Sequence, residues 1–227
     1  MLVSVIVPVR NGEAFLREAL ESAFAQTWEP VEVIVVDDGS SDGSGTIAAA
    51  FPHVRVLRQA PQGQATARNA AVAASRGELL AFLDADDVWP STKLAVQAGY
   101  LRDHPEVGGV LGRQKLLVEP GVALPPWVHR EGGLERAAGG AQPLSLVTRR
   151  GVWDLVGPFT PGLLFADDTD WLMRAHELSV RIEMLEDVVL YRRIHGANIT
   201  YDDDALRRGL VLALKGRIDR RRARNPT

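Results

Sequence analysis

The sequence predicts an α/β fold: a mainly parallel central sheet with helices on both faces. Three observations carry this. Apolar or β-branched runs at residues 2–7, 31–36, 54–57 and 79–83 have strand length. The segments between them space their apolar residues as helices do. Strand and helix alternate in order, as a parallel sheet requires, because each return to the sheet needs a crossover.

In chain order, residues 2–7 read as a buried strand stopped by Pro8, with Asn11-Gly12 making the turn. Residues 13–25 carry Phe15, Ala19, Leu20 and Ala23 at helical spacing. Residues 31–36 form a second strand that exits into Asp37-Asp38-Gly39. A short helix over 46–51, a strand over 54–57 and an alanine-rich helix over 62–75 follow. Arg76-Gly77 reads as the stop of that last helix. Residues 79–83 are then a short strand that delivers Asp84, Asp86 and Asp87 at its carboxyl end.

The second half is less regular. A helix is expected over 91–102 and strand material with a glycine break over 107–118. Residues 119–142, rich in glycine and proline, read as a long mobile loop, of a length that in compact domains is either functional or disordered. A strand over 144–148, helices over 149–156 and 168–178, a strand over 188–194 and a final helix over 203–224 complete the chain. No internal repeat or linker divides it, so the 227 residues are expected to form one domain.

Composition narrows the function. The hydrophobic share of 46% supports a sizeable core. A net charge of −3 and a pI near 6.0 give no bias toward nucleic acid. Cysteine is absent, which excludes disulfides, thiolate zinc sites and a cysteine nucleophile. No apolar run approaches a membrane span, and the first residues read as a strand rather than a signal peptide. A cytoplasmic protein is expected, with a peripheral membrane contact offered by the basic C-terminal helix.

The chemistry concentrates at strand ends, where open α/β sheets bind ligands. Asp84, Asp86 and Asp87 repel one another unless a cation sits among them; a hard divalent ion such as Mg2+ or Mn2+ suits those oxygens. The plainer reading makes them caps and turn residues before Trp89-Pro90. Asp38 suits a ribose or base contact, or else only a tight turn. Arg68 suits a phosphate, or else a solvated helix face. Asp167, Asp168 and Asp170 sit where a helix dipole favours carboxylates, and where one of them can serve as a general base. His195 is either structural or a metal ligand beside the aspartates. The first strand exits into Pro8-Val9-Arg10-Asn11, without Gly-x-Gly-x-x-Gly and without a P-loop, which argues against a dinucleotide dehydrogenase and a P-loop kinase.

Taken together, the stretches VSVIVPVRNG (3–12), VVDDGSSDG (35–43), GQATARNA (63–70), GELLAFLDADD (77–87), FADDTDWLMR (165–174) and YRRIHGANIT (191–200) resemble the family 2 glycosyltransferases of the GT-A fold, in the family's order. The resemblance implies a metal-dependent, inverting transfer from a nucleotide-diphosphate sugar to a hydroxyl on a glycan, a lipid-linked carrier, a peptide or a small molecule. It implies that Pro8, Val9, Arg10 and Glu13 line the nucleoside pocket and that Asp38 contacts base or ribose. Arg68 then approaches the phosphates and Asp84 the ribose side. Asp86 carries the divalent cation, Mn2+ or Mg2+, with His195 as a further ligand. Asp168 is the candidate base, with Asp167 the runner-up, because Asp167 stands where the family usually has glutamate. Asp87 is assigned to the turn. Residues 1–90 become the nucleotide-sugar-binding half, 91–200 the acceptor and catalytic half and 201–227 a basic helix. Trp127 and His129 either stack on the acceptor or anchor the loop. A chain that ends soon after this domain, without a spanning segment, is not expected to be a processive polysaccharide synthase. A nucleotidyltransferase, which would bring a lysine-rich phosphate loop, and a non-catalytic nucleotide-sugar binder are the competing classes.

Overall fold

In the computed structural model, residues 1–130, 143–163 and 166–224 are described. The strands are β1 (Val3–Val9), β2 (Val31–Asp37), β3 (Val54–Arg58), β4 (Leu79–Phe82), β5 (Gly109–Val118), β6 (Val147–Arg149) and β7 (Ile182–Ile194). The helices are α1 (Leu16–Phe24), α2 (Ser44–Ala49), α3 (Gln64–Ala74), α4 (Lys93–Asp103), α5 (Pro126–Arg130), α6 (Arg150–Val156), α7 (Asp167–Glu177) and α8 (Asp203–Arg224). They build a seven-stranded sheet of order β3-β2-β1-β4-β6-β5-β7.

The first four strands are parallel, and β6 alone runs against its neighbours β4 and β5. Apolar side chains alternate between the two faces and meet helices on each. Val3, Val5, Val7, Val33, Val35, Leu79 and Ala81 pack with α1, α2 and α4 residues such as Leu20, Ala48 and Leu94. On the other face Ile6, Ile34, Val36, Leu80 and Phe82 meet Ala67 and Ala71 of α3, Trp153 of α6 and Trp171 of α7. Strands covered on both sides explain why β1 is apolar at nearly every position and buried throughout. The exception, Ser4, is buried because its hydroxyl donates to Glu32 and accepts from Gly77 N.

Three expectations need correcting. β1 does not stop at Pro8 but continues to Val9. The pairing of β1 with β4 ends at Ile6 with Phe82, so the missing N–H of Pro8 falls beyond the last ladder bond on that side and costs nothing. The strand expected at 188–194 begins at Ile182; its first half carries Glu183, Glu186 and Asp187, polar residues that an edge strand paired on one side tolerates. Within the expected loop at 119–142, Pro126 opens the short helix α5, a position where its absent N–H is harmless. Residues 131–142 of that loop lie outside the described residues.

Gly77 is more than a helix stop. The C-cap of α3 is Ser75 in extended conformation, and Gly77 then presses against β1. A Cβ at position 77 would sit 2.4 Å from Ser4 Oγ and 2.6 Å from Ser4 N. Gly77→Ala is therefore expected to destabilise the domain by about 1–3 kcal/mol, read as a lower denaturation midpoint at unchanged slope; an unchanged midpoint would show that this approach is not tight.

Candidate active site

The chain lays β1, β2 and β3 outward in one direction and then returns to place β4 on the other side of β1. At such a reversal the connections leave in opposite directions and open a crevice at the strands' carboxyl ends. A cleft of about 760 Å³ occupies this place. Pro8, Val9 and Arg10 line it from the end of β1, Asp38 from beyond β2, Arg68 from α3, Asp84 and Asp86 from beyond β4, Asp167 and Asp168 from α7, and His195 from beyond β7. Of the expected site residues, Glu13 is not in the lining. Its carboxylate accepts from Gly43 N at 2.5 Å, and its own N–H donates to Asp42, so it braces the turn that leads into α2.

Arg68 is the electrostatic centre. Its side chain is buried, with Nη2 donating to Asp84 Oδ1 at 2.7 Å and Nη1 to Asp167 Oδ2 at 2.9 Å. Burial works against its charge, but Asp84, Asp167 and Asp168 outweigh that and raise its pKa. Both terminal nitrogens are thus engaged by carboxylates, which differs from the phosphate contact expected of this residue. It ties the end of β4 to the start of α7.

The carboxylates around it are not equivalent. Asp84 is pushed up by burial, and Asp86 and Asp167 push it further, against the pull of Arg68. Asp87 is buried and raised well above its ordinary value, by desolvation first and then by Asp86 and Asp84. Its Oδ1 accepts from Arg193 N at 2.9 Å, and its N–H donates to Asp84 O in the turn. Asp168 is pushed up to about 6, by burial first and then by Asp167. Its hydrogen bonds come from Thr169 N and Thr169 Oγ1, both to Oδ1. Asp38 is also buried and accepts from Gln59 Nε2, Gln62 N and Gly63 N at 2.7–2.8 Å. Three donors on one carboxylate shape the entry to α3, and a further acceptor lobe is left for a ligand.

Asp86 and His195 come from positions 109 residues apart, yet Asp86 Oδ2 and His195 Nε2 are 3.0 Å apart. An antiparallel bridge causes this: Val88 N donates to Tyr191 O, and Tyr191 N to Val88 O, which fastens the acidic turn to the end of β7. The fit to a divalent cation is good. Asp84, Asp86 and Asp87 offer oxygens within 4.8 Å of one another. His195 Nε2 meets Asp86 Oδ2 in a hydrogen bond of 3.0 Å at the edge of that cluster, where a neutral imidazole could turn to a cation held by the carboxylates. The surplus of negative charge over Arg68 also suits a cation.

Sequence reading missed three contributors. Asn198 accepts from His195 N and donates through Nδ2 to Asp86 Oδ2 at 3.2 Å, so it orients both members of the pair. Gln64 donates to Asp84 Oδ1 at 2.9 Å. Arg193 is buried, pairs with Glu18 and Glu119 and donates to Asp86 O. The spacing of Asn198 from His195, one short turn, was the available signal for the first; Arg193 and Gln64 carried none.

A parallel sheet reversed at β1 and β4, with an acidic strand end and a second acidic helix start facing it, is the GT-A fold of nucleotide-sugar glycosyltransferases. The family model described as glycosyl transferase family 2 matches residues 4–139, and the chain belongs to that family. A Nostoc protein named as an uncharacterized glycosyltransferase is 32% identical over 87% of this chain and 66% of its own length. The mannosyltransferase PcManGT of Pyrobaculum calidifontis, solved with GDP-Man and Mn2+, is 25% identical with a TM-score of 0.73, over 96% of this chain and 64% of that one. S. aureus TarS 1-349, solved with UDP, is 25% identical with a TM-score of 0.69, over 86% of this chain and 61% of its own. The chain thus spans just under two thirds of these relatives, and as little as 15% of other glycosyltransferases that it matches.

Removing the central guanidinium should expose the electrostatic debt of the site. Arg68→Met leaves Asp167 buried and Asp84 half-buried without their cation, at an expected cost of about 3–5 kcal/mol near pH 7. The sign follows from linkage. Without Arg68 the folded-state carboxyl pKa values rise above those of the unfolded chain, so the native state binds more protons and stability falls as pH rises. The deficit against wild type should shrink as pH drops toward 4, as measured by urea unfolding. A deficit that stayed constant with pH would mean that the loss is packing alone.

Proposed function

We propose that this domain moves a sugar from a nucleotide-diphosphate donor to a hydroxyl acceptor, with inversion at the anomeric carbon, in the presence of Mn2+ or Mg2+. The observation that carries the reading is the pairing, in one cleft, of a cation-ready Asp86–His195 edge with Asp168, a carboxyl pushed up to about 6. Relatives solved with GDP-Man and Mn2+ and with UDP support the donor class.

Pro8, Val9 and Arg10 form the nucleoside wall, and Asp38, already ordered by three donors, offers its remaining acceptor lobe to base or ribose. Asp84, oriented by Arg68 and Gln64, faces the donor from the end of β4. Asp86 and His195 would hold the cation, which when bound supplies charge neutralisation for a diphosphate leaving group. Asn198 and the Val88–Tyr191 bridge keep those two ligands aligned. Arg68 acts through Asp84 and Asp167 rather than as a free phosphate clamp.

Asp168 is favoured over Asp167 as the base. The facing oxygen of Asp167 is engaged by Arg68 at 2.9 Å, whereas the hydrogen bonds of Asp168 both fall on Oδ1. A pKa near the working pH suits a group that must accept a proton. In the step, the acceptor oxygen forms a bond to the anomeric carbon. The bond from that carbon to the diphosphate oxygen breaks on the opposite face, and its electron pair leaves with the nucleoside diphosphate. The hydroxyl proton passes to Asp168. Trp127, which lines the same cleft beneath Arg192, is placed to meet the acceptor.

Two tests follow. A nucleoside diphosphate should raise the melting temperature of the wild-type domain only when Mn2+ is present, and Asp86→Ala should remove that joint shift while its ligand-free melt stays within a few degrees; an intact shift in the variant would refute the role of Asp86. With a working donor and acceptor, the wild-type rate should climb with pH through about 6 and then level, because Asp168 must be ionised to accept the proton. Asp168→Asn should keep donor binding yet lose transfer by about 10²–10⁴-fold; if Asp167→Asn does so instead, the base is one residue earlier.

A further inference from the structure

The last helix is built inside out. In α8 the buried or half-buried positions are Ala205, Leu206, Gly209, Ala213, Gly216 and Arg220, spaced at three and four along one side. Small residues on that side allow close packing on α7. Arg220 locks it there, with Nη1 3.1 Å from Asp170 and Nε 3.2 Å from Glu177. Four of the large apolar residues form a stripe on the other side. Leu210, Val211, Leu214 and Ile218 are 37–63% exposed. Their spacing, three and four apart, is the one that normally points into a core.

Cations border this outward stripe. Arg208, Lys215, Arg221 and Arg222 are exposed around it. Residues 205–224 hold eight Lys and Arg against one acid, Asp219, which falls on a different side of the helix from the stripe. No helix among the described residues is long and apolar enough to cross a membrane, so the stripe is not part of a span. An apolar stripe between rows of cations matches the boundary between acyl chains and anionic headgroups. A second copy of the chain fits it worse, because two such faces would bring like charges together.

We propose that the outward face of α8 seats the domain on an anionic bilayer surface. The inference is independent of the transfer chemistry. It has a geometric consequence for it: Leu206, at the start of the same helix, lines the cleft, so the seated helix would hold the cleft mouth near the headgroups.

The test is sedimentation of the purified protein with vesicles of phosphatidylglycerol and phosphatidylcholine, against vesicles of phosphatidylcholine alone. Binding is expected to the anionic vesicles, to weaken at high salt and to be slight on the neutral ones. Leu214→Gln with Ile218→Gln should lower partitioning at least tenfold, and Arg221→Gln with Arg222→Gln by roughly fivefold per cation removed. Both variants alter exposed side chains and should melt as wild type does. Absence of binding to anionic vesicles would overturn the proposal, as would equal binding by the stripe variant. A dimer in light scattering that the stripe variant dissociates, without vesicle binding, would assign the face to a second copy instead.

Discussion

The buried guanidinium of Arg68 is the interaction on which the rest of the site depends. It lies between Asp84, at the end of a strand from the first half, and Asp167, at the start of a helix from the second. A buried cation without partners would be expelled, and two buried carboxylates without a cation would be protonated or forced apart. Each group is tolerable only because the others are present. The pairing therefore joins the two halves of the chain at the cleft and sets the electrostatic level of the neighbouring acids.

From that level the differing characters of the carboxylates follow. Asp167 faces the guanidinium directly. Asp168, one residue on, is half-buried beside Asp167 and holds its proton more tightly than an ordinary aspartate. Asp86, 33% exposed, faces His195 and Asn198 rather than Arg68. Asp87 is sealed under β7 by Arg193 N. Chemically identical side chains within a few residues of one another thus acquire separate surroundings: a guanidinium, a neighbouring carboxylate, an imidazole, or a sealed turn.

Much of the fold was legible because it rests on short-range patterns. The strands β1 to β4 and the helices between them read from apolar periodicity, since strands buried on both faces admit little else. Boundaries slipped where pairing, not propensity, decides them: β1 passes through Pro8 because no partner remains on that side, and β7 starts early because an edge strand accepts Glu183 and Glu186. The acidic clusters and His195 were visible as residue types. Glu13 was placed in the nucleoside pocket but braces a turn, and Asn198, Gln64 and Arg193 escaped notice because single polar residues carry no periodic signal, whether in a loop, at a helix start or in a strand.

By itself the sequence determined the α/β class, the alternation of strands and helices, and the supply of carboxylates at strand ends, because each depends on residues near one another in the chain. Only the tertiary structure decided what surrounds each carboxylate. The partners that settle it come from far along the chain: Arg68 meets Asp167 across 99 residues, and His195 meets Asp86 across 109. Charge, burial and hydrogen bonding act through space, so these environments exist only once the sheet order and the Val88–Tyr191 bridge have brought the groups together.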